Sequence, residues 1–212
     1  KTLPPILVKT TLNLLKGTIK NDMAGIDAYI QVYILLNRLV KLFPEIQRNI
    51  EKEVDDFYAK EENREKTEDL EEFVIKQGLS SKGVGESEGI NVLLEEHLKR
   101  RMREAISKDE SLKGKEKFPG SLESFMKGNQ LANQLFLANI ESVKLIAGKK
   151  GEEELLSEEN KKELQGKVEW IKNNVNENWE IFIEALVQRK SASNENVMRE
   201  YIENAYKIAR QK

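Results

Sequence analysis

The chain has 212 residues, of which 39% are apolar and 34% charged, and it carries a formal net charge of −2. The near-neutral charge balance gives no general case for nucleic acid or an anionic membrane as partner. Because there is no cysteine, disulfides, thiolate metal sites and cysteine nucleophiles are excluded.

The most apolar stretch, Met23 to Phe43, is predicted to form the central helix of the fold. At 100° per residue, its polar residues Asp27, Gln31, Arg38 and Lys41 fall on one narrow stripe. Because the helix is apolar on nearly every other side, we expect neighbours to bury it on several sides. Its charged residues interrupt the run of about 18 apolar residues that a membrane span requires, so no transmembrane segment is predicted.

Shorter helices are predicted on both sides of this central one. A first helix is predicted to begin at Pro4 and Pro5. Pro44 marks a boundary or a kink, and the helix beyond it has one thin apolar stripe. Residues 60–66 are almost all charged, which indicates a solvated connection or an exposed helical extension. Thr67 is expected to cap the short helix that follows.

The segment 78–89 is rich in glycine and serine and is the clearest break in the chain. It predicts a flexible loop. We interpret residues 1–212 as a single domain, in which this loop is a possible subdomain boundary between N-terminal helices (1–77) and C-terminal helices (90–212).

Four helices are predicted after the loop. The first covers residues 90–106, and Ser121 is expected to cap a long helix that runs through Ala147. Between Ser157 and Lys190 the apolar residues keep one helical phase, which predicts a continuous helix of about 33 residues. A last helix completes the chain. The phase is carried by Leu164, Val168, Ile171, Val175, Trp179, Phe182 and Leu186.

No segment alternates apolar and polar residues long enough to indicate a half-buried strand. The predicted fold class is all-α, an irregular multi-helix bundle, with a short α-solenoid-like helical array as the alternative.

His97, the single histidine, lies near the edge of an apolar stripe. A general base or metal ligand is one interpretation, but the residue three positions before it is Leu94, so the Glu-x-x-His metal pattern is absent. We interpret His97 as a partly buried structural residue and predict no catalytic, cofactor-binding or metal-binding residue.

The densest basic run contains Lys99, Arg100, Arg101 and Arg103. Nucleic-acid binding requires such charges on one face, whereas helical geometry spreads these around the helix. Pairing with nearby glutamates at helical spacing is the favoured interpretation, and contact with phosphates or an acidic partner is the alternative.

A four-residue echo places Asn129 with Gln130 and Asn133 with Gln134 on one flank of a helix. Amides both donate and accept hydrogen bonds, so this strip could hold an extended peptide, bond to a neighbouring helix, or face water. It is the most distinctive candidate surface in the sequence.

Two tryptophans lie on the predicted 157–190 helix. Trp179 falls on its apolar stripe and is expected in the core. Trp170 falls beside the stripe, at the margin of the core or as an exposed anchor for a partner.

The sequence therefore favours a non-enzymatic helical protein–protein interaction module that acts as scaffold, adaptor or surface-displayed ligand. The partner is then another protein or peptide, bound through Asn129, Gln130, Asn133, Gln134, Trp170, Arg100, Arg101 and Arg103, with no cofactor. The alternatives are a nucleic-acid-associated protein that uses the basic run, and an enzyme with a helical cleft. We expect a cytoplasmic location, or export or surface display by a bacterium.

Overall fold

A computed structural model describes residues 3–20, 22–84, 87–149, 151–176, 179–187 and 194–210. Every regular element in these ranges is a helix, so the predicted all-α class is confirmed for the described chain. A short 3₁₀ helix, Glu110–Gly114, accompanies the α-helices. They are α1 (Leu3–Leu15), α2 (Asp22–Leu42), α3 (Pro44–Ala59), α4 (Glu61–Lys66), α5 (Leu70–Leu79), α6 (Ser87–Lys108), α7 (Leu122–Gly128), α8 (Gln130–Ala147), α9 (Glu152–Leu155), α10 (Glu158–Asn174), α11 (Trp179–Val187) and α12 (Asn194–Ala209).

The helices form two compact units. The first contains residues 1–85 and 134–173, and the second contains residues 86–133 and 174–212. The chain therefore leaves the first unit near the glycine- and serine-rich segment and returns to it within α8.

In the first unit α1 packs on α2 and α5, while α3 packs on α2, α4 and α5. The aromatic centre of this packing is the stacked pair Phe57 and Phe73, whose ring centroids are 4.0 Å apart. Tyr29 and Ile30 are buried on α2. Helix α4 buries none of its residues, in agreement with the prediction of an exposed helical extension at residues 60–66.

The end of α1 shows why a glycine is needed at position 17. Gly17 has φ of +64°. The amide of Gly17 donates to the carbonyl of Leu14, and the amide of Thr18 donates to that of Asn13, both at 3.0 Å. This is the bond pattern with which a left-handed glycine closes a helix.

A second glycine, Gly78, lies inside α5 and permits close packing. Its carbonyl accepts a hydrogen bond from the hydroxyl of Tyr33 at 3.2 Å. A Cβ atom at this position would lie 2.0 Å from Cγ1 of Val143. Because Gly78 belongs to α5 and α6 begins at Ser87, the predicted loop 78–89 is too long at both ends.

In the second unit α6 packs on α12, and α11 contacts α6, α7 and α12. Tyr206 of α12 is buried, and its hydroxyl donates toward the carbonyls of Leu112 and Lys115. Phe118 contacts the rings of Phe125 and Tyr206, each with a centroid distance of 5.8 Å. These contacts order the polar segment between α6 and α7 around one aromatic cluster.

The prediction of one continuous helix over residues 157–190 is wrong. Helix α10 ends at Asn174 and α11 begins at Trp179, while residues 188–190 lie outside the described part. Val175 follows the end of α10 and is fully buried. Because Val175 is buried, it is apolar although it is not helical. The apolar spacing therefore continues across the break between α10 and α11.

The predicted helix from Ser121 to Ala147 is likewise interrupted. Ser121 does cap it, since its side chain accepts from the amide of Ser124 at 3.1 Å. The chain leaves helical geometry at Asn129, whose Nδ2 donates to the carbonyl of Phe125 at 2.9 Å. A side chain that bonds a carbonyl of its own helix competes with the backbone for it.

The cap of α5 also differs from the prediction. Asp69, and not Thr67, precedes the helix, and its carboxylate accepts from the amide of Glu72 at 2.8 Å. Aspartate and threonine are both good caps, and the bond is made by the residue directly before the first helical turn.

Candidate functional site

An exposed apolar ridge runs along α2. It consists of Ala28, Val32, Leu35, Leu39 and Leu42, which are spaced alternately by four and three residues. Leu35 is 48% and Leu42 71% exposed, Ala28 is also exposed, and Val32 and Leu39 are partly covered. Helix α2 buries eight of its residues, in agreement with the prediction that neighbours cover it on several sides, while Leu35 and Leu42 on the ridge stay exposed.

A shallow groove of about 430 Å³ lies beside the ridge in the first unit. Val32, Ile34 and Leu35 line one side, and Leu156, just after α9, adds an apolar side chain that is 39% exposed. Phe43, at the end of α2, is exposed as well. Gln31, Arg38 and Glu152 complete the lining of the groove, so apolar and polar side chains share it.

Ion pairs stand at the polar margin of the ridge. Nε of Arg38 donates to Oε1 of Glu152 at 2.7 Å, and this contact holds the pKa of the Glu152 carboxyl below its ordinary value. Nζ of Lys161 lies 2.8 Å from Oδ1 of Asp27, and it lowers the pKa of that carboxyl in the same way. Both pairs lie in the first unit, so charged side chains border the apolar surface.

Two members of the predicted amide strip are buried and bonded within the chain. Oδ1 of Asn133 lies 2.9 Å from Nε2 of His97. Nε2 of Gln134 donates to the carbonyl of Lys172 at 3.1 Å. Asn129 caps α7, and Gln130 is partly exposed at the start of α8. A peptide cannot use Asn133 and Gln134 as surface groups, so that part of the prediction is corrected.

His97 is deeply buried in the second unit, with 1% of its surface exposed. Its ring bonds Asn133 and lies 6.2 Å from the ring of Phe182. Burial lowers the pKa of His97 to about 3, and nearby Arg101 and Arg100 lower it further, while the hydrogen bond with Oδ1 of Asn133 opposes the shift. His97 is therefore more completely buried than the sequence indicates, and its structural role stays a prediction.

The burial of His97 predicts a pH-dependent stability. The unfolded chain protonates this imidazole near pH 6.5 and the folded chain only near pH 3. The unfolded state therefore binds more protons in this window, so the free energy of unfolding falls as the pH falls. We expect a loss of about 1 kcal/mol between pH 6.5 and 5.5 in urea denaturation. In His97→Gln the free energy of unfolding should no longer fall by this amount between pH 6.5 and 5.5. An unchanged pH dependence in this variant would contradict a buried, neutral His97 as its source.

Within the basic run, Lys99 and Arg100 converge on one buried carboxylate. Nζ of Lys99 lies 3.4 Å from Oε2 of Glu96, and Nε of Arg100 lies 3.0 Å from Oε1. Arg101 lies 2.9 Å from Oε2 of Glu104. The pairing at helical spacing is thus present, and Lys99 is itself buried. A phosphate would have to compete with these carboxylates for the same cations.

Trp170 is 46% exposed on α10, so the anchor interpretation stays a prediction. For Trp179 the backbone at the start of α11 is described, but its side chain lies outside the described part.

A second groove, of about 540 Å³, lies among α3, α4 and α5. Its lining is mostly charged, and Glu53 binds Nζ of Lys76 through both oxygens, at 2.8 and 3.0 Å. Burial raises the pKa of the Glu72 carboxyl, helped by nearby Asp69. Among the described residues, no group of three or more histidine or acidic side chains could hold a metal ion. The charged residues of this groove thus include the Glu53–Lys76 ion pair and Asp69, which caps α5.

None of the helices in the described ranges is long and apolar enough to cross a membrane. No protein-family model matches the chain, and comparison with curated proteins and with solved structures found no match.

Proposed function

We propose that this chain is a non-enzymatic helical module that binds another protein through the ridge on α2. The observation that carries the proposal is the exposure of Leu35 and Leu42, two turns apart on one face of α2. Contiguous exposed apolar patches mark interaction sites, whereas scattered apolar residues are normal on any surface. Burying a fully exposed leucine contributes about 1.5–3 kcal/mol, and Leu35 and Leu42, at 48% and 71% exposure, would contribute part of that each. Because association itself costs several kcal/mol, the rest of the surface must complete the contact.

The spacing of the ridge favours a helical partner. Alternation of four and three residues is the seam on which one helix places its side chains between those of another. A helix laid into an apolar groove is a common mode of recognition, read by apolar anchors one and two turns apart. The charged pairs of Arg38 and Asp27 border the ridge and would orient the partner. We place the interaction in the cytoplasm, which fractionation of source cells tests.

Leu42→Asp and Leu35→Asp are expected to weaken partner binding at least tenfold without unfolding the chain. An aspartate on the ridge must be desolvated when a partner covers it, whereas exposed substitutions in the isolated protein usually change stability by about 0.5 kcal/mol or less. The measurement is quantitative affinity capture from the source organism, followed by titration of a captured protein in purified form.

The matched control is Ile6→Asp. Ile6 is 44% exposed on α1, close to the exposure of Leu35, but it is not a ridge residue. The proposal requires that a captured protein be lost with the two ridge variants and retained with Ile6→Asp. Identical capture by all three variants, with circular dichroism unchanged, would show that the ridge binds nothing.

A further inference from the structure

The segment between α6 and α7, residues 109–121, lies on the surface of the second unit, and we call it the strap. Leu112 and Phe118 are partly covered, whereas its other residues with described side chains are exposed. A segment that buries little apolar surface is held mainly by specific bonds and opens locally when these are lost. Its attachment to the rest of the unit therefore decides whether it stays in place.

Helix α12 and the residue that follows it bond two carbonyl groups of the strap. The hydroxyl of Tyr206 donates toward the carbonyls of Leu112 and Lys115, the second at 3.0 Å. Nη1 of Arg210 donates to the carbonyl of Lys115 at 2.6 Å. The guanidinium carbon of Arg210 also lies 5.8 Å from the ring centroid of Tyr206, within the range of a cation–π contact. These two side chains together hold residues 112–115 of the strap.

The same face of α12 holds the strap at Phe118. Oε2 of Glu203 accepts a hydrogen bond from the amide of Phe118 at 3.2 Å. The ring centroid of Phe118 lies 5.8 Å from that of Tyr206 and equally far from that of Phe125 on α7. Positions 203, 206 and 210 are three and four residues apart, so they follow one another along one face of the helix. One helix face therefore bonds both parts of the strap.

The strap forms one wall of a pocket of about 400 Å³ in the second unit. Leu112, Phe118 and Pro119 of the strap line this pocket together with Phe125 of α7. Its other lining residues come from α6, α7 and the turns beside α7, and several of them are polar. Phe125 is buried. If the strap leaves α12, the pocket loses this wall and the ring of Phe125 is uncovered.

We propose that α12 is a latch, and that the strap opens as a unit and exposes the pocket when its bonds to Glu203, Tyr206 and Arg210 are released. Helix α12 packs on α6 and buries Met198 and Ile202 besides Tyr206. Helices α6, α7 and α12 therefore stay packed when the strap opens. The latch lies in the second unit and does not involve the ridge, so its test is independent of the proposed function.

Hydrogen exchange of the full chain tests the latch through the amides of Leu112, Lys115 and Phe118, each of which donates a hydrogen bond in the closed strap. Tyr206→Phe removes the hydroxyl and keeps the ring. Loss of one hydrogen bond changes an opening equilibrium about fivefold, so these three amides should exchange about fivefold faster. Arg210→Met, at a partly exposed position, should accelerate them about twofold or more. Unchanged exchange in both variants would overturn the latch.

The matched control is Ile202→Val, also on α12. Ile202 is buried, so this change lowers the stability of the whole unit but leaves the bonds to the strap intact. Amides in the middle of α6 exchange when the unit unfolds, so their exchange should accelerate while that of the strap stays unchanged. If the strap and α6 accelerate by the same factor in Ile202→Val, the strap opens only when the whole unit unfolds, and the inference fails.

Discussion

Gly78→Ala is expected to destabilise the protein by about 1–3 kcal/mol. In the interior of a helix, replacing glycine by alanine normally stabilises the folded protein by about 1 kcal/mol. The added Cβ would stand 2.0 Å from Cγ1 of Val143 and 3.5 Å from the hydroxyl of Tyr33. Val143 is β-branched and fully buried on α8, so its methyl group has no easy alternative rotamer. The collision therefore has to move α5 or α8. Urea denaturation measures the loss, and hydrogen exchange in α5 and α8 locates it.

The control for this prediction is Gly166→Ala in α10. A Cβ atom at Gly166 meets nothing within 4 Å, so this variant should gain stability through helix propensity alone. Val143→Ala in the Gly78→Ala background should restore part of the loss, giving an interaction energy between neighbours in a double-mutant cycle. If Gly78→Ala and Gly166→Ala stabilise the chain equally, the close contact between α5 and α8 does not exist.

This contact shows why the extent of the loop after α5 could not be predicted. Glycine at position 78 indicates a helix end when only local propensity is considered. Here it is the next-to-last residue of α5, and Val143, 65 positions later in the chain, occupies the space that a side chain at position 78 would need. Such a requirement is created by tertiary packing and leaves no signal in the neighbouring residues.

Helical periodicity predicted the helices but not where they break. At residues 174–176 the apolar phase continues through Val175 because burial, and not helix geometry, constrains that position. At Asn129 the backbone dihedral angles leave the helical range, and both the amide and the side chain of Asn129 donate to the carbonyl of Phe125. Asparagine is a frequent residue at such breaks, so its presence at both places is a local signal that could have shortened both predicted helices.

Hydropathy also cannot distinguish an apolar helix face that packs in the core from an apolar face that is exposed. The polar stripe of α2 was correctly predicted to include exposed Gln31 and Arg38. Burial of the helix was predicted on several sides, and the leucines next to this stripe were not singled out as exposed. The buried residues Ile26, Tyr29, Tyr33, Leu36 and Val40 have the same alternating spacing as the ridge, so spacing does not separate the two faces either. The burial of Asn133 and Gln134, in contrast, depends on distant residues.

Glu96→Ala is expected to cost about 3–5 kcal/mol of stability, the usual effect of removing one partner of a buried ion pair. Glu96 is buried in α6 between Lys99, at 3.4 Å, and Arg100, at 3.0 Å. Without its carboxylate, the buried ammonium of Lys99 loses this counter-charge in a site from which water is largely excluded. Urea denaturation at pH 7 measures the cost.

Glu104→Ala is the matched control on the same helix. Glu104 also binds two cations, Arg101 at 2.9 Å and Lys108 at 2.7 Å, but its side chain is 42% exposed. Water can solvate both cations when it is removed, so the expected loss is about 1 kcal/mol or less. Equal losses for Glu96→Ala and Glu104→Ala would show that burial does not set the strength of these pairs.

A double variant, Glu96→Leu with Lys99→Met, separates the stability that the pair contributes from the penalty of breaking it. Replacing both buried charges by apolar side chains of similar volume removes their desolvation cost together with their attraction. Arg100 is partly exposed and can be solvated without Glu96. We therefore expect the double variant to be more stable than Glu96→Ala and close to the unmodified chain. If the double variant is as unstable as Glu96→Ala, the buried ion pair makes a net contribution to stability that apolar side chains of similar volume do not replace.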